Sequence, residues 1–290
     1  MSQAGAIAPP VRLGRGVPQG LVGLALTSPA IAMVLLLFIL PILGSIQSAF
    51  VSKAGAGFDN FVTSYELYGV DLGFSVLIVL ISSALVALFS VVIAGYLTLG
   101  TNALTVAILR WLYRWPLFIP FIVVGQILRT FLAKNGLMNN IFVASGLLSP
   151  LQTTSFLDWR GIVIAFVWKQ LPFVTLLLAG AMAALDRSTI EAARNLGASR
   201  LRILVEIVLP QVRQSLLVGI VLSVVTMMSV LSVPLMINAQ SPTMISVDMA
   251  FRINAYADYG VANALGLISL VFTGAVAWIY LRQTLRENTR

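Results

Sequence analysis

Neither cysteine nor histidine occurs among the 290 residues of this chain. Disulfides and thiolate chemistry are thereby excluded. The commonest general base and the commonest metal ligand are missing too. Charge is scarce: Asp, Glu, Lys and Arg together make up 10% of the residues. A soluble domain wets its surface with about 25% charged residues. With 59% hydrophobic residues and a mean hydropathy of +0.98, the chain is not an ordinary soluble globule. Acids are fewest, 10 against 18 basic residues, for a net charge of +8. The basic residues lie between apolar runs, which fits the positive-inside rule and not a nucleic-acid patch. A phosphate-binding loop is also lacking. It needs a Gly-Lys pair, and none of Lys53, Lys134 and Lys169 follows a glycine.

What is present is a series of long apolar runs. A bilayer core of about 30 Å takes about 20 helical residues. Six segments qualify, at about 21–46, 74–97, 115–132, 161–185, 215–237 and 264–281. Open strands would leave backbone groups unpaired in lipid, so all are read as helices. The fold class predicted is all-α, a polytopic membrane protein with six transmembrane helices. Residues 1–20 read as a cytoplasmic tail, 21–285 as the transmembrane domain with a loop at 186–213, and 286–290 as a second tail. The first apolar run is too long for a cleaved signal peptide. Twelve arginines fall at the termini, Arg12, Arg15 and Arg290 among them, and in the loops around 98–114 and 186–213. The opposite loops hold Lys53, Arg129, Lys134, Arg160 and Arg252. That asymmetry predicts cytoplasmic termini. Asp59, Glu66, Asp71, Asp158, Asp248 and Asp258 are then assigned to the outer side, with no acid inside a span. An ion-coupled transporter usually carries buried acids, and a membrane enzyme needs a catalytic group set. Both readings are weak here.

The loop between the fourth and fifth spans contains EAARNLGASRLRILVEIVLP, residues 191–210. Ser188 and Glu191 have the spacing of a capping box. Ala192 and Ala193 favour helix, and Gly197 suits a helix stop. Ser199 suits the cap of a second helix, with Leu201, Leu204, Val205 and Val208 at helical spacing. Pro210 fits the start of a further helix or a bend. The result predicted is an elbow of two short helices at the membrane surface. Two adjacent alanines admit close approach by a partner, and Arg194, Arg200 and Arg202 offer it charge. The alternative is that Glu191 only caps its helix and the arginines only orient the loop.

Taken whole, E-A-A, three residues, G, nine residues, I-x-L-P resembles the signature loop of permease subunits of ATP-binding-cassette importers. Glu191, Ala192, Ala193, Gly197, Ile207, Leu209 and Pro210 match every fixed position. Segments 135–147 and 258–267 resemble the family as well, and the resemblance covers about 21–281. It implies the type I importer permease fold in a bacterial inner membrane. It implies that the loop is a coupling helix docking on a separate ATPase dimer, through Glu191, Ala192, Ala193, Arg194, Gly197, Ala198, Leu209 and Pro210. The other partners implied are a second permease subunit, an extracytoplasmic solute-binding protein and membrane lipid. The chain itself would bind no cofactor, and ATP and Mg would belong to the ATPase.

Polar groups inside spans are candidates for the solute path. Trp168, Lys169 and Gln170 precede Pro172, which frees the carbonyl of Trp168. Lys169 lies roughly 12 Å deep from the outer end at 1.5 Å per residue. It either lines the path, or pairs with a carboxylate or snorkels outward. Gln126 in the third span is a further candidate, whereas Arg129 suits the interface. Ser223, Thr226, Ser229 and Ser232, with Met227 and Met228, suit either the path or helix packing. Arg252, Asn254, Tyr256 and Asp258 form an outer segment, either a solvated loop or a contact for the binding protein. The sequence NLGAS at 195–199 resembles the branch that carries polyamines, ferric iron, thiamine and phosphonates. A lysine in the path suits an anion instead. The expectation is a polyamine-type solute, with a sugar or an anionic organic solute as the alternative.

Overall fold

A computed structural model gives the fold, and the structure describes residues 19–52 and 55–288. Most of the expected N-terminal tail, with Arg12 and Arg15, lies outside the described residues, as do Lys53 and Arg290. Two units are distinguished, Met1–Ser48 and Ala49–Arg290. The first contains α1 (Gln19–Val34), a π-helical turn (Leu35–Ile39) and the start of α2 (Leu40–Phe50). Pro41 has no N–H to return to Leu37, and the turn before it is widened accordingly. Over Leu26–Gly44 the helix is mostly apolar and exposed, as a lipid-facing span is.

The second unit opens with a two-residue hairpin, Val51–Ser52 against Gly55–Ala56. Next comes α3 (Asp59–Leu99), 41 residues and about 62 Å at 1.5 Å per residue, twice the bilayer core. The hydropathy window found only its apolar part, from residue 74. Its polar first turns are tied to the start of the unit. Asn60 donates to the carbonyls of Ala49 and Val51 at 3.0 and 2.9 Å.

The expected third span is not one straight helix. It comprises α4 (Ala103–Leu112), a 3-10 turn (Trp115–Phe118), α5 (Phe121–Leu132) and α6 (Leu137–Ala144). The chain bends by 107° between Phe118 and Phe121. Pro120 is the cause: it holds Ile119 extended, φ −93° and ψ 123°. Continuous helices follow at α7 (Trp159–Ala183) and α8 (Arg187–Asn195). After the elbow, α9 (Arg200–Arg202), a π-helical turn (Ile203–Val208) and α10 (Leu209–Ser229) run as one helix, Arg200–Ser229. The second arm of the elbow is therefore the start of the fifth span and not a separate short helix. That span ends before the expected 237. Pro234 cannot donate to Val230, whose carbonyl accepts from Ser246 Oγ at 3.0 Å, and α11 (Ser232–Ile237) starts anew. Then α12 (Ile245–Tyr256) occupies what was read as an outer segment, and α13 (Tyr259–Asn288) closes the chain. Counting the bent pair as one span gives up to six apolar crossings among the described residues, by length and composition.

Two apolar clusters hold the second unit together. The larger joins Ile78 and Val79, Val124 and Leu128, Ile162 and Phe166, Met227 and Leu265. The smaller sits at the elbow end and joins Ala94 and Leu99, Leu178 and Met182, Ile190 and Ala193, and Ile203, Leu204 and Val208. Small residues bring the helices close, as membrane helix packing requires. A Cβ on Gly95 would lie 2.6 Å from Leu204 Cδ2.

Candidate functional site

The elbow forms at one end of the second unit. Asp186 caps α8: its carboxylate accepts from Ser188 N–H at 2.9 Å and from Ser188 Oγ at 2.7 Å. The expected Ser188–Glu191 capping box is thus replaced by a cap two residues earlier, and Glu191 is exposed on the helix surface. Hydrogen bonding to Ser188 holds the Asp186 carboxyl below its usual range. At the other end Gly197 adopts φ +80°. Gly197 N–H donates to Arg194 at 2.9 Å and Ala198 N–H to Ala193 at 3.0 Å, the paired bonds of a Schellman stop. Ser199 Oγ then accepts from Arg202 N–H at 3.3 Å, the cap expected for the second arm.

The helix has two faces. Ile190 and Ala193 are buried in the smaller cluster. Glu191, Ala192, Arg194, Asn195 and Leu196 face outward. The two alanines therefore part, Ala192 out and Ala193 in. Leu196 was not singled out from sequence, yet it is 88% exposed at the tip of the elbow. Ala198 and Leu209 are half-buried and Pro210 is exposed. The arginines differ in use. Arg194 donates to the Leu99 carbonyl at 3.3 Å and Arg200 to Thr101 Oγ1 at 3.0 Å, which tie the elbow to the end of α3. Arg202 pairs with Glu206 at 2.9 Å on the open surface.

The candidate path residues are dispersed. Lys169 Nζ donates to the carbonyls of Pro116, Leu117 and Ile119 at 2.8, 3.1 and 2.6 Å, and lies 5.2 Å from the Phe121 ring centre. These carbonyls belong to the break before α5, so the ammonium pins that bend. Trp168 is half-buried and packs on the larger cluster. Gln170 is buried, its Nε2 without a partner among the described residues. Gln126 is exposed. Thr226 and Ser229 bond back to Leu222 and Val225 of their own helix at 2.8 and 2.7 Å. Ser232 lies beyond the break in α11, so the four hydroxyls do not share one helix.

The far end of α3 holds what the sequence did not show. Asp71 and Asp248, both assigned to the outer side, are 3% and 6% exposed. Asp71 Oδ1 accepts from Ser241 Oγ at 2.9 Å and from Thr243 N–H at 3.0 Å. Ser75 Oγ accepts from Ile245 N–H at 2.8 Å beside it. Asp248 Oδ2 has no partner among the described residues. Burial, with the Asp71 charge nearby and Arg252 opposing, pushes the Asp248 carboxyl up to about 7. Both acids line a cavity of about 620 Å³ together with Tyr68, Leu235, Phe251 and Asn254. None of the six path residues expected from sequence lines it. Arg252 turns aside to Tyr68 Oη at 2.6 Å and to Asp258 at 3.5 Å.

A family model described as binding-protein-dependent transport system inner membrane component matches residues 74–284. The sulfoquinovosyl glycerol transport system permease protein SmoG of Agrobacterium fabrum is 23% identical over 90% of this chain and 90% of its own. The spermidine/putrescine transport system permease protein PotB of Escherichia coli is 25% identical over 88% of this chain and 96% of its own. Among solved structures, a bacterial alginate ABC transporter in complex with an alginate pentasaccharide-bound periplasmic protein superposes with a TM-score of 0.80. The two chains are 20% identical, over 95% of this one and 98% of that one.

Proposed function

The chain belongs to the binding-protein-dependent transport system inner membrane components, and we propose that this ABC-importer permease admits a small cationic amine of the polyamine type. In this reading the α8 elbow and both termini face the cytoplasm. The elbow docks on a separate ATPase dimer that holds ATP and Mg. A second permease subunit completes the path, and a binding protein delivers solute at the Asp71–Asp248 end. Closure of the ATPases moves α8, and because its second arm is the fifth span itself, that motion passes directly into the membrane helices.

The observation that carries the solute class is the pair of buried carboxyls. Burying an acid without a counter-ion is costly, and Asp248 keeps an oxygen unpartnered over an open cavity. An ammonium entering there removes the cost. Lys169 is turned to the carbonyls before α5 and does not line this cavity. The likeness to PotB agrees. A sugar is the second reading, favoured by the likeness to SmoG and to the alginate transporter. The test is ATP-driven uptake by the assembled transporter in proteoliposomes, with putrescine and a glycosyl glycerol compared. Putrescine uptake lost in Asp248→Asn supports the amine. Glycoside uptake unaffected by Asp248→Asn overturns it.

A further inference from the structure

A second cavity, of about 490 Å³, lies at the elbow end and has no part in the solute reading. It is separated from the first by about 45 Å along α3, from Tyr68 to Thr98 at 1.5 Å per residue. Its polar wall is built from two elements. Arg110 comes from α4 and Arg114 from just past its end, Arg187 and Arg194 come from α8, and Glu191 is the one acid. Four guanidiniums thus surround a single carboxylate. Arg114 donates to Tyr113 Oη at 3.2 Å and Arg194 to the Leu99 carbonyl. Among the described residues, neither Arg110 nor Arg187 has a hydrogen bond or an ion pair. Four cations against one carboxylate leave an excess of positive charge, and guanidinium forks match phosphate oxygens.

The remaining wall is apolar. Leu97, Leu176 and Ala179 line it, and Leu176 is 44% exposed, so the cavity opens onto the outer surface of α7. Beside it α4 shows Leu104, Ile108, Trp111 and Leu112 to the outside, and Trp111 stacks edge-on with Trp115 at 4.7 Å. Tryptophans in that position mark the level of lipid headgroups. A free soluble anion needs the arginines only. A basic pocket that opens sideways onto an apolar helix surface, beside an aromatic girdle, fits an amphiphile. Basic pockets of this kind between membrane helices take anionic lipid headgroups.

We propose that this cavity binds the phosphodiester headgroup of an anionic membrane lipid, with the acyl chains lying along α7 at Leu176. The headgroup bridges α4 and α8, and so braces the elbow against the membrane. The bound lipid then sets how firmly α8 is held when it is pushed.

The test uses the assembled transporter in nanodiscs, and compares it with the Arg110→Gln/Arg114→Gln double variant, which leaves the elbow sequence intact. Native mass spectrometry counts retained phosphatidylglycerol, and ATPase activity is followed as phosphatidylglycerol replaces phosphatidylcholine. Affinity for phosphatidylglycerol is expected to fall by roughly 25-fold in the double variant, from about 1 kcal/mol per basic residue. Stimulation of ATPase by the anionic lipid is expected to fall with it. Arg110→Lys/Arg114→Lys, which keeps the charge, is expected to restore most of both. Equal lipid retention and equal stimulation in all three proteins overturns the proposal. Displacement of the lipid by millimolar inorganic phosphate or glycerol 3-phosphate overturns it also, since a soluble anion is then sufficient.

Discussion

Gly197 is the hinge on which the elbow is built, and its replacement separates two causes cleanly. A Cβ at Gly197 meets no atom within 4 Å, so space does not constrain the residue. Its φ of +80° does. A non-glycine residue in the left-handed region costs about 1–2 kcal/mol, and asparagine tolerates it better than other side chains. Alanine should then cost about 1 kcal/mol and valine about 2 kcal/mol, or about 5-fold and 25-fold in local opening. The readout is hydrogen exchange at the Ala198 amide, which donates to Ala193 at 3.0 Å only while the stop is formed. Exchange should rise in the order Gly, Asn, Ala, Val. Solute moved per ATP hydrolysed should fall in the same order in proteoliposomes. Asparagine as damaging as valine would refute the conformational argument, and unchanged exchange in Gly197→Val would refute the hinge itself.

Other consequences follow from particular contacts. Gly95→Ala places a methyl 2.6 Å from Leu204 Cδ2, and should destabilise by about 1–3 kcal/mol. Adding Leu204→Ala should recover most of the loss in thermal unfolding. Lys169→Met leaves three carbonyls of the 115–121 break without their ammonium, and should cost at least about 2 kcal/mol. Hydrogen exchange should rise first around residues 115–121. Asp248, raised to about 7, binds its proton more tightly folded than unfolded. Stability should therefore fall as pH rises from about 4 to about 7 and level off above, and Asp248→Asn should flatten that slope. Thermal melts across pH check it.

Much of the elbow was legible because its determinants are local. Gly197 and Ser199 each act within four residues of themselves. The misplaced cap shows the limit of that reasoning: Asp186 and Ser188 both suit a cap, and which one wins depends on where α7 ends. The spans were legible by hydropathy, but not the polar start of α3 or the 107° break at Pro120. The contacts of Lys169 and Asp71 were not legible for one reason. Their partners lie 50–53 and 170–172 positions away in the chain, and no local pattern encodes such pairs.

In the proposed function the exposed tip of α8 seats an ATPase on the cytoplasmic side. Because the chain has no cysteine, a single Leu196→Cys reports the tip alone. The measurement is labelling by a membrane-impermeant maleimide in inside-out and right-side-out vesicles, with and without the ATPase subunits. Labelling from the cytoplasmic side, with strong protection once the ATPase is bound, is the predicted result. Labelling from the outside, or equal labelling with and without the ATPase, contradicts the account.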